Sequence, residues 1–256
     1  MAPPNPPTSI VRTQAHLRTN RTLILTRSLL SGLVGVVPLP YIDDLLAGAV
    51  RAQLIRRLAE IRGVDVDGNA VAALSEPGGS RVLSMASMGA VAAGVAKPGW
   101  RKIASRLGTS FMVVRRVDET IESFQVGTLF DHYCTRMHVG AALDGKRAVI
   151  LRHAMSMSIA SARNDLLKRA FTDGLRTASK FAGGLPRALE MLRTGARGQT
   201  GDLDAQLDDS LVGSAVGSVE RKVAGLEQSY LEQLVTRFEV GYHAIHTVKP
   251  PDGAPR

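Results

Sequence analysis

A single cysteine, Cys134, stands in the 256 residues. One thiol excludes an internal disulfide framework and fits a reducing cytoplasm. Aromatic residues make up only 4% of the chain, while Ala, Gly, Ser and Met are plentiful within a hydrophobic share of 45%. Sheets favour β-branched and aromatic side chains, so this palette suits close helix–helix packing instead. Acidic residues are absent before Asp43, although Arg12, Arg18, Arg21 and Arg27 recur there. No run reaches the roughly 20 apolar residues that a membrane-spanning helix needs. The two longest uncharged runs, Ser28–Ile42 and Val82–Ala96, are 15 residues each by count, which reads as buried core or as an interfacial segment. The proline-rich start, Met1–Ser9, lacks the charged and apolar regions of a signal peptide.

What is present is organised around Gly32–Gly63. Pro38 and Pro40 end whatever helix precedes them and open a new one. Asp43 and Asp44 fall in its first turn, where the helix dipole favours negative charge, and Gly63 is placed to end it. The first half of this helix is apolar nearly all round. Its second half is amphipathic, with Leu54, Leu58 and Ile61 on one stripe and Arg56, Arg57 and Glu60 off it.

Pro38-Leu39-Pro40-Tyr41-Ile42-Asp43, then Ala52-Gln53-Leu54-Ile55, then Leu58-Ala59-Glu60-Ile61-Arg62-Gly63, together resemble the core signature of the YcjF-like bacterial domain. The helix is also similar to that of the EcsC-like family. The resemblance is strongest over Leu29–Asp67 and thins towards Cys134. It implies a helical, membrane-associated protein that accompanies a GTPase and has no assigned catalytic residues. Its signature positions here are Pro38, Pro40, Asp43, Gln53 and Gly63.

Along the chain, Met1–Ser9 and the tail after Thr247 read as disordered. Helices are expected over Ser9–Leu33 and 43–62, then from an Asp67 cap to Leu74. Further helices are expected over Val82–Ala96, Trp100–Leu107, Ser110–Val139, Lys146–Phe171 and Ser218–Thr247, with Gly108 separating Trp100–Leu107 from Ser110–Val139. The last helix carries the stripe Val219, Val223, Leu226, Tyr230, Leu234, Phe238, Tyr242 and Ile245. The fold class is all-α, a multi-helix bundle with small-residue helix packing and no sheet. Residues 10–140 form the family-like core, and the helices of 141–247 pack on it. No internal repeat is read. Leu45, Leu46, Val50 and Leu54 are expected to bury against Val82–Ala96, whose Gly89, Ala90, Ala93 and Gly94 let a neighbour approach closely. Lys146–Arg197 carries eleven basic and three acidic residues by count, and Gly198–Thr247 three basic and eight acidic. The two segments are therefore expected to lie side by side.

Candidate chemistry is sparse. There is no G-x-x-x-x-G-K-[ST], no G-x-G-x-x-G after a strand and no G-x-S-x-G elbow. Any GTPase involved is another chain. Glu239, His243 and His246 share one side of a helix and form the best metal-like pattern, but a lone helix supplies too few ligands to close a site. The plainer reading is histidines near a helix C-terminus. Asp131, Cys134 and His138 also share a face, with Cys134 read as a small core residue. Asp43 and Asp44 read as first-turn acids rather than a catalytic pair. His16, His132 and His153 read as isolated. No cofactor and no enzymatic activity are expected.

The leading expectation is a non-enzymatic accessory or scaffold protein of the bacterial cytoplasm, peripherally bound to the inner membrane through anionic lipid. The alternative is a soluble helical adaptor for a protein partner, with the two uncharged runs inside its core. A net charge of +9 raises nucleic-acid binding as a third reading, weakened by the scarcity of stacking aromatics and the lack of a recognition motif.

Overall fold

The computed structural model describes residues 17–34, 43–76, 100–140, 142–162, 165–179, 213–224 and 227–247. Eight helices account for most of them: α1 (Arg21–Val34), α2 (Asp43–Arg62), α3 (Gly68–Ser75), α4 (Trp100–Arg136), α5 (Gly145–Ala160), α6 (Asp165–Ser179), α7 (Gly213–Ala224) and α8 (Glu227–Thr247). Among the described residues there is no strand, only an isolated parallel bridge between Val66 and Leu143. The all-α reading holds.

Local signals set most helix ends. Gly63 sits at φ +66°, the left-handed conformation that a C′ glycine relieves. The N–H of Val64 reaches the Ala59 carbonyl at 2.9 Å, closing the end of α2. Asp67 caps α3 by accepting from the Ala70 N–H at 2.6 Å, and Asp144 caps α5 by accepting from the Arg147 N–H at 2.8 Å.

Three boundaries depart from the sequence reading. Gly108 does not break the chain, and Trp100–Arg136 is one helix. A single glycine costs a helix only about 1 kcal/mol, which its neighbours offset. The expected helix Lys146–Phe171 instead ends at Ala160, with Ser161 and Ala162 in a turn before α6. The expected Ser218–Thr247 helix is two helices, α7 and α8. Its apolar stripe survives the division: Val219, Val223, Leu234 and Phe238 are all buried.

The long helix α4 is the spine, packed against α1, α2 and α6 and, over smaller areas, α5 and α8. Around it α3 lies on α5, α5 on α8, and α6 on α7. One hydrophobic cluster runs through all of these, from Leu17 to Phe238. Phe124 of α4 meets Phe171 of α6 with ring centroids 5.5 Å apart. The basic and acidic segments do lie together, as α6 on α7 and α5 on α8. The ion pair that joins them runs against the bulk charges, however: Lys222 comes from the acidic segment and Asp173 from the basic one.

Small residues set the closest helix approaches. A Cβ on Gly32 would come 2.0 Å from Thr120 Oγ1, and one on Gly174 would come 2.2 Å from Val219 Cγ2. Where α1 meets α4, the buried hydroxyls of Thr120 and Ser123 bond back to carbonyls of their own helix. On the α4 side these short polar side chains meet their own donors, while Thr26 Oγ1 and Ser28 Oγ of α1 are buried without a hydrogen-bond partner. Val50 and Leu54 are buried, with Leu54 against Gly127 of α4, where a Cβ would lie 3.0 Å from Leu54 Cδ2. Residues 82–96 and the side chains of Leu45 and Leu46 lie outside the described residues, as do the expected disordered ends.

A repeat unread in the sequence emerges from this packing. Gly63, Val66, Asp67, Gly68 and Leu74 match Gly140, Leu143, Asp144, Gly145 and Leu151 at one constant offset. Both glycines have positive φ, Gly140 at +61°. Both aspartates cap the next helix, and Val66 and Leu143 are the two members of the β-bridge. The units α2–α3 and α4–α5 therefore pack like on like, α2 on α4 and α3 on α5. The match is confined to a short loop and its cap, while the helices around it have diverged, so the sequence alone did not display it.

The glycine contacts give a test. Gly174→Ala should drive a methyl into the stiff side chain of Val219 and cost about 1–3 kcal/mol by overpacking. Gly217→Ala, with nothing within 4 Å of its Cβ position, should be neutral or stabilise α7 by up to about 1 kcal/mol. Thermal melts of the two variants should move in these different directions.

Candidate functional site

The last turns of α4 place four consecutive chemistry-bearing residues, Asp131 to Cys134, inside the bundle. A helix turns about 100° per residue, so each faces a different neighbour. Asp131 is 1% exposed and accepts from three donors. Arg62, at the end of α2, approaches it with Nε at 2.8 Å and Nη2 at 2.9 Å, and Asn20 Nδ2, just before α1, lies at 2.7 Å. This forked, charge-assisted geometry is the strong form of the ion pair. The hydrogen bond to Asp131 raises the Arg62 pKa, against the opposing effect of its partial burial.

His132 is fully buried and its Nε2 lies 2.9 Å from Glu239 Oε1 on α8. Burial lowers the imidazole pKa, and the Glu239 hydrogen bond opposes that only in part. Phe238 meets the same ring edge-on at 6.4 Å. Tyr133 packs on Tyr242 at 5.6 Å and on His138 at 5.8 Å. Burial first, then the bond to Tyr242, pushes its phenol pKa far up. The Cys134 thiol is pushed up to about 12, by burial and then by the Asp131 charge. A thiol held that high stays protonated at neutral pH and is a poor nucleophile.

The metal-like pattern of Glu239, His243 and His246 can be followed for two of its three side chains. Glu239 turns to His132, and His243 is exposed with its ring against Tyr242. The side chain of His246 lies outside the described residues. Among those described, no three His, Cys, Asp or Glu residues are grouped to hold a metal ion. Asp131, Cys134 and His138 part company too: Asp131 faces Arg62, and His138 folds back on Tyr133. His132, read as isolated, is the most engaged histidine of the set. One signal pointed to it. Ser123–Phe130 is an uncharged run, and polar residues such as Asp131 and His132 that continue it within one helix are candidates for internal partners. His153 is exposed, and His16 lies outside the described residues.

Of the family-like signature, Gly63 ends α2 as expected. Gln53 is buried and accepts from Arg27 Nη1 at 3.0 Å. Pro38 and Pro40 lie outside the described residues, as do the side chains of Asp43 and Asp44, whose backbones open α2.

Two arginines of the acid-free N-terminal stretch are placed inside the bundle. Arg21 and Arg27 are 8% and 3% exposed and turn inward. Arg21 donates to the Glu220 carbonyl of α7 at 2.9 Å, and Arg27 to Gln53. Arg18 is exposed and Arg12 lies outside the described residues. The described part of the uncharged run, residues 28–33, is buried throughout. An amphipathic helix on lipid turns its cations to the headgroups, the reverse of this arrangement. Among the described residues no helix is long and apolar enough to cross a membrane.

Compared with protein-family models, with curated proteins and with solved structures, the chain matches none.

The Asp131 cluster therefore acts as a strut joining α1, α2 and α4. Asp131→Ala should strand the Arg62 guanidinium and cost about 3 kcal/mol, the low end for a broken buried pair because Arg62 keeps some contact with water. Asp173→Ala, at the surface pair with Lys222, should leave the melting temperature nearly unchanged. Equal losses in the two variants would remove Asp131 from this role.

Proposed function

We propose that the protein is a non-enzymatic helical scaffold that binds a protein partner. The observation that carries this reading is the inward turn of Arg27. This cation, part of the stretch that would face lipid, is buried on Gln53, a position of the family-like signature. A segment built this way belongs to a core, and the helices it organises are left to present their outer faces to another protein. The pairing of Asp131, His132 and Glu239 with neighbouring helices supports a structural use of those residues. The YcjF-like resemblance supports a separately encoded GTPase as the partner class. It and the lone, high-pKa thiol together support a bacterial cytoplasmic setting.

Vesicle sedimentation separates this reading from attachment to a membrane surface. With vesicles rich in anionic lipid at low ionic strength, the protein should remain in the supernatant. Crosslinking in the source cells should join it to one protein in stoichiometric amount. Sedimentation with anionic vesicles that is reversed by salt would overturn the reading in favour of a peripheral membrane protein. Salt-sensitive retention on DNA would favour the nucleic-acid reading instead.

A further inference from the structure

The contact between α4 and α8 is narrow compared with that between α5 and α8, and polar side chains take part in it. Its side-chain bonds are Gln125 to the Tyr230 hydroxyl and His132 to Glu239, with Tyr133 against Tyr242 at the far end. The pair His132–Glu239 is lopsided. The imidazole has no exposure, while the Glu239 side chain is 42% exposed at the rim. An acid–base group is thus sealed beneath α8, with its counter-charge standing at the water's edge.

We propose that this pair is an acid-sensitive latch that makes the docking of α8 on α4 depend on pH. At neutral pH the uncharged ring donates Nε2–H to the Glu239 carboxylate and sits edge-on to Phe238. Protonation places a cation in a site without water. The charges acting on it are Glu239 from α8, and Arg136 and Asp131 from α4. Asp131 is already engaged by Arg62 of α2 and by the uncharged Asn20 before α1, and Arg136 repels. Among the described residues, Glu239 is the carboxylate that bonds the ring directly, from α8.

The sign follows from linkage. A histidine released to water binds a proton near pH 6.5, whereas burial holds the docked ring below that. The opened form therefore binds more protons as the pH falls. Docking is firmest above about pH 6.5 and weakens as the pH drops through that value. Each opening uncovers Phe238, a buried ring that packs on His132, so acid increases the time this apolar surface is available to a partner.

Backbone amide exchange across residues 227–247, corrected for the intrinsic effect of pH on exchange, tests the latch. Between about pH 7.5 and about pH 5, on either side of the ordinary histidine range, protection of α8 should fall by an order of magnitude or more. That of α1 and α2 should hold. His132→Gln keeps a donor towards Glu239 but cannot titrate, and should make α8 protection independent of pH. Glu239→Gln keeps an acceptor but removes the charge that favours the protonated ring, so the docked ring binds its proton less readily still, and the loss of protection at the lower pH should deepen. Equal α8 protection at the two pH values would overturn the proposal, as would simultaneous loss in α1, α2 and α8. A His132→Gln protein that follows the wild type would do so too. Should His132→Gln not fold, the Glu239→Gln profile decides, and a loss at the lower pH no deeper than the wild type's overturns it.

Discussion

The buried carboxylate of Asp131 is the constraint on which the arrangement of the first half of the molecule depends. A carboxylate removed from water is tolerated only when its charge and lone pairs are met. Here Arg62 meets the charge with both arms of a fork, and Asn20 takes a further lone pair. These donors come from the end of α2 and the start of α1. Satisfying Asp131 therefore fixes where two helices begin and end relative to the third. Apolar packing would hold the three together over a range of offsets. The ion pair selects one.

The same logic recurs at lower stakes through the interior. Arg152 of α5 donates to the Glu76 carbonyl at the end of α3 and pairs with Glu122 of α4. Arg51 of α2 donates to the Ser75 carbonyl, also at the end of α3, at 2.9 Å. Helix C-termini carry unmet carbonyls and partial negative charge, and guanidinium groups from neighbouring helices supply both donor and cation. The positive composition is in part accounted for by this internal use: five arginines, Arg21, Arg27, Arg51, Arg116 and Arg152, are buried. Net charge alone thus overstates the basic surface offered to lipid or nucleic acid.

The paired loops add a second kind of order. Like packs on like in α2–α3 and α4–α5, joined at the Val66–Leu143 bridge, with Gly145 admitting Asn69 so closely that a Cβ there would lie 2.9 Å from it. Helices α6, α7 and α8 break the symmetry. α6 and α7 close over α1 and α4, and α8 covers α5. The lopsided His132–Glu239 pair belongs to that added layer.

The sequence by itself determined what depends on near neighbours in the chain. Composition set the all-α class, the glycine at 63 and the aspartate at 67 set helix ends, and the spacing from Val219 to Phe238 set a buried stripe. Each is a local matter of dihedral freedom, capping or helical period. Only the tertiary structure decided which polar groups meet. Glu239 has helical neighbours at the spacing of metal ligands, yet its partner is His132, far away in the chain. Arg27 looks like a surface cation until Gln53 covers it. Glycines that matter to packing, Gly32 and Gly174, were indistinguishable in sequence from Gly217, whose Cβ position has nothing within 4 Å. The physical reason is the same in all three cases. Desolvation and close approach are properties of a place in the bundle, and that place is fixed by residues from several helices at once.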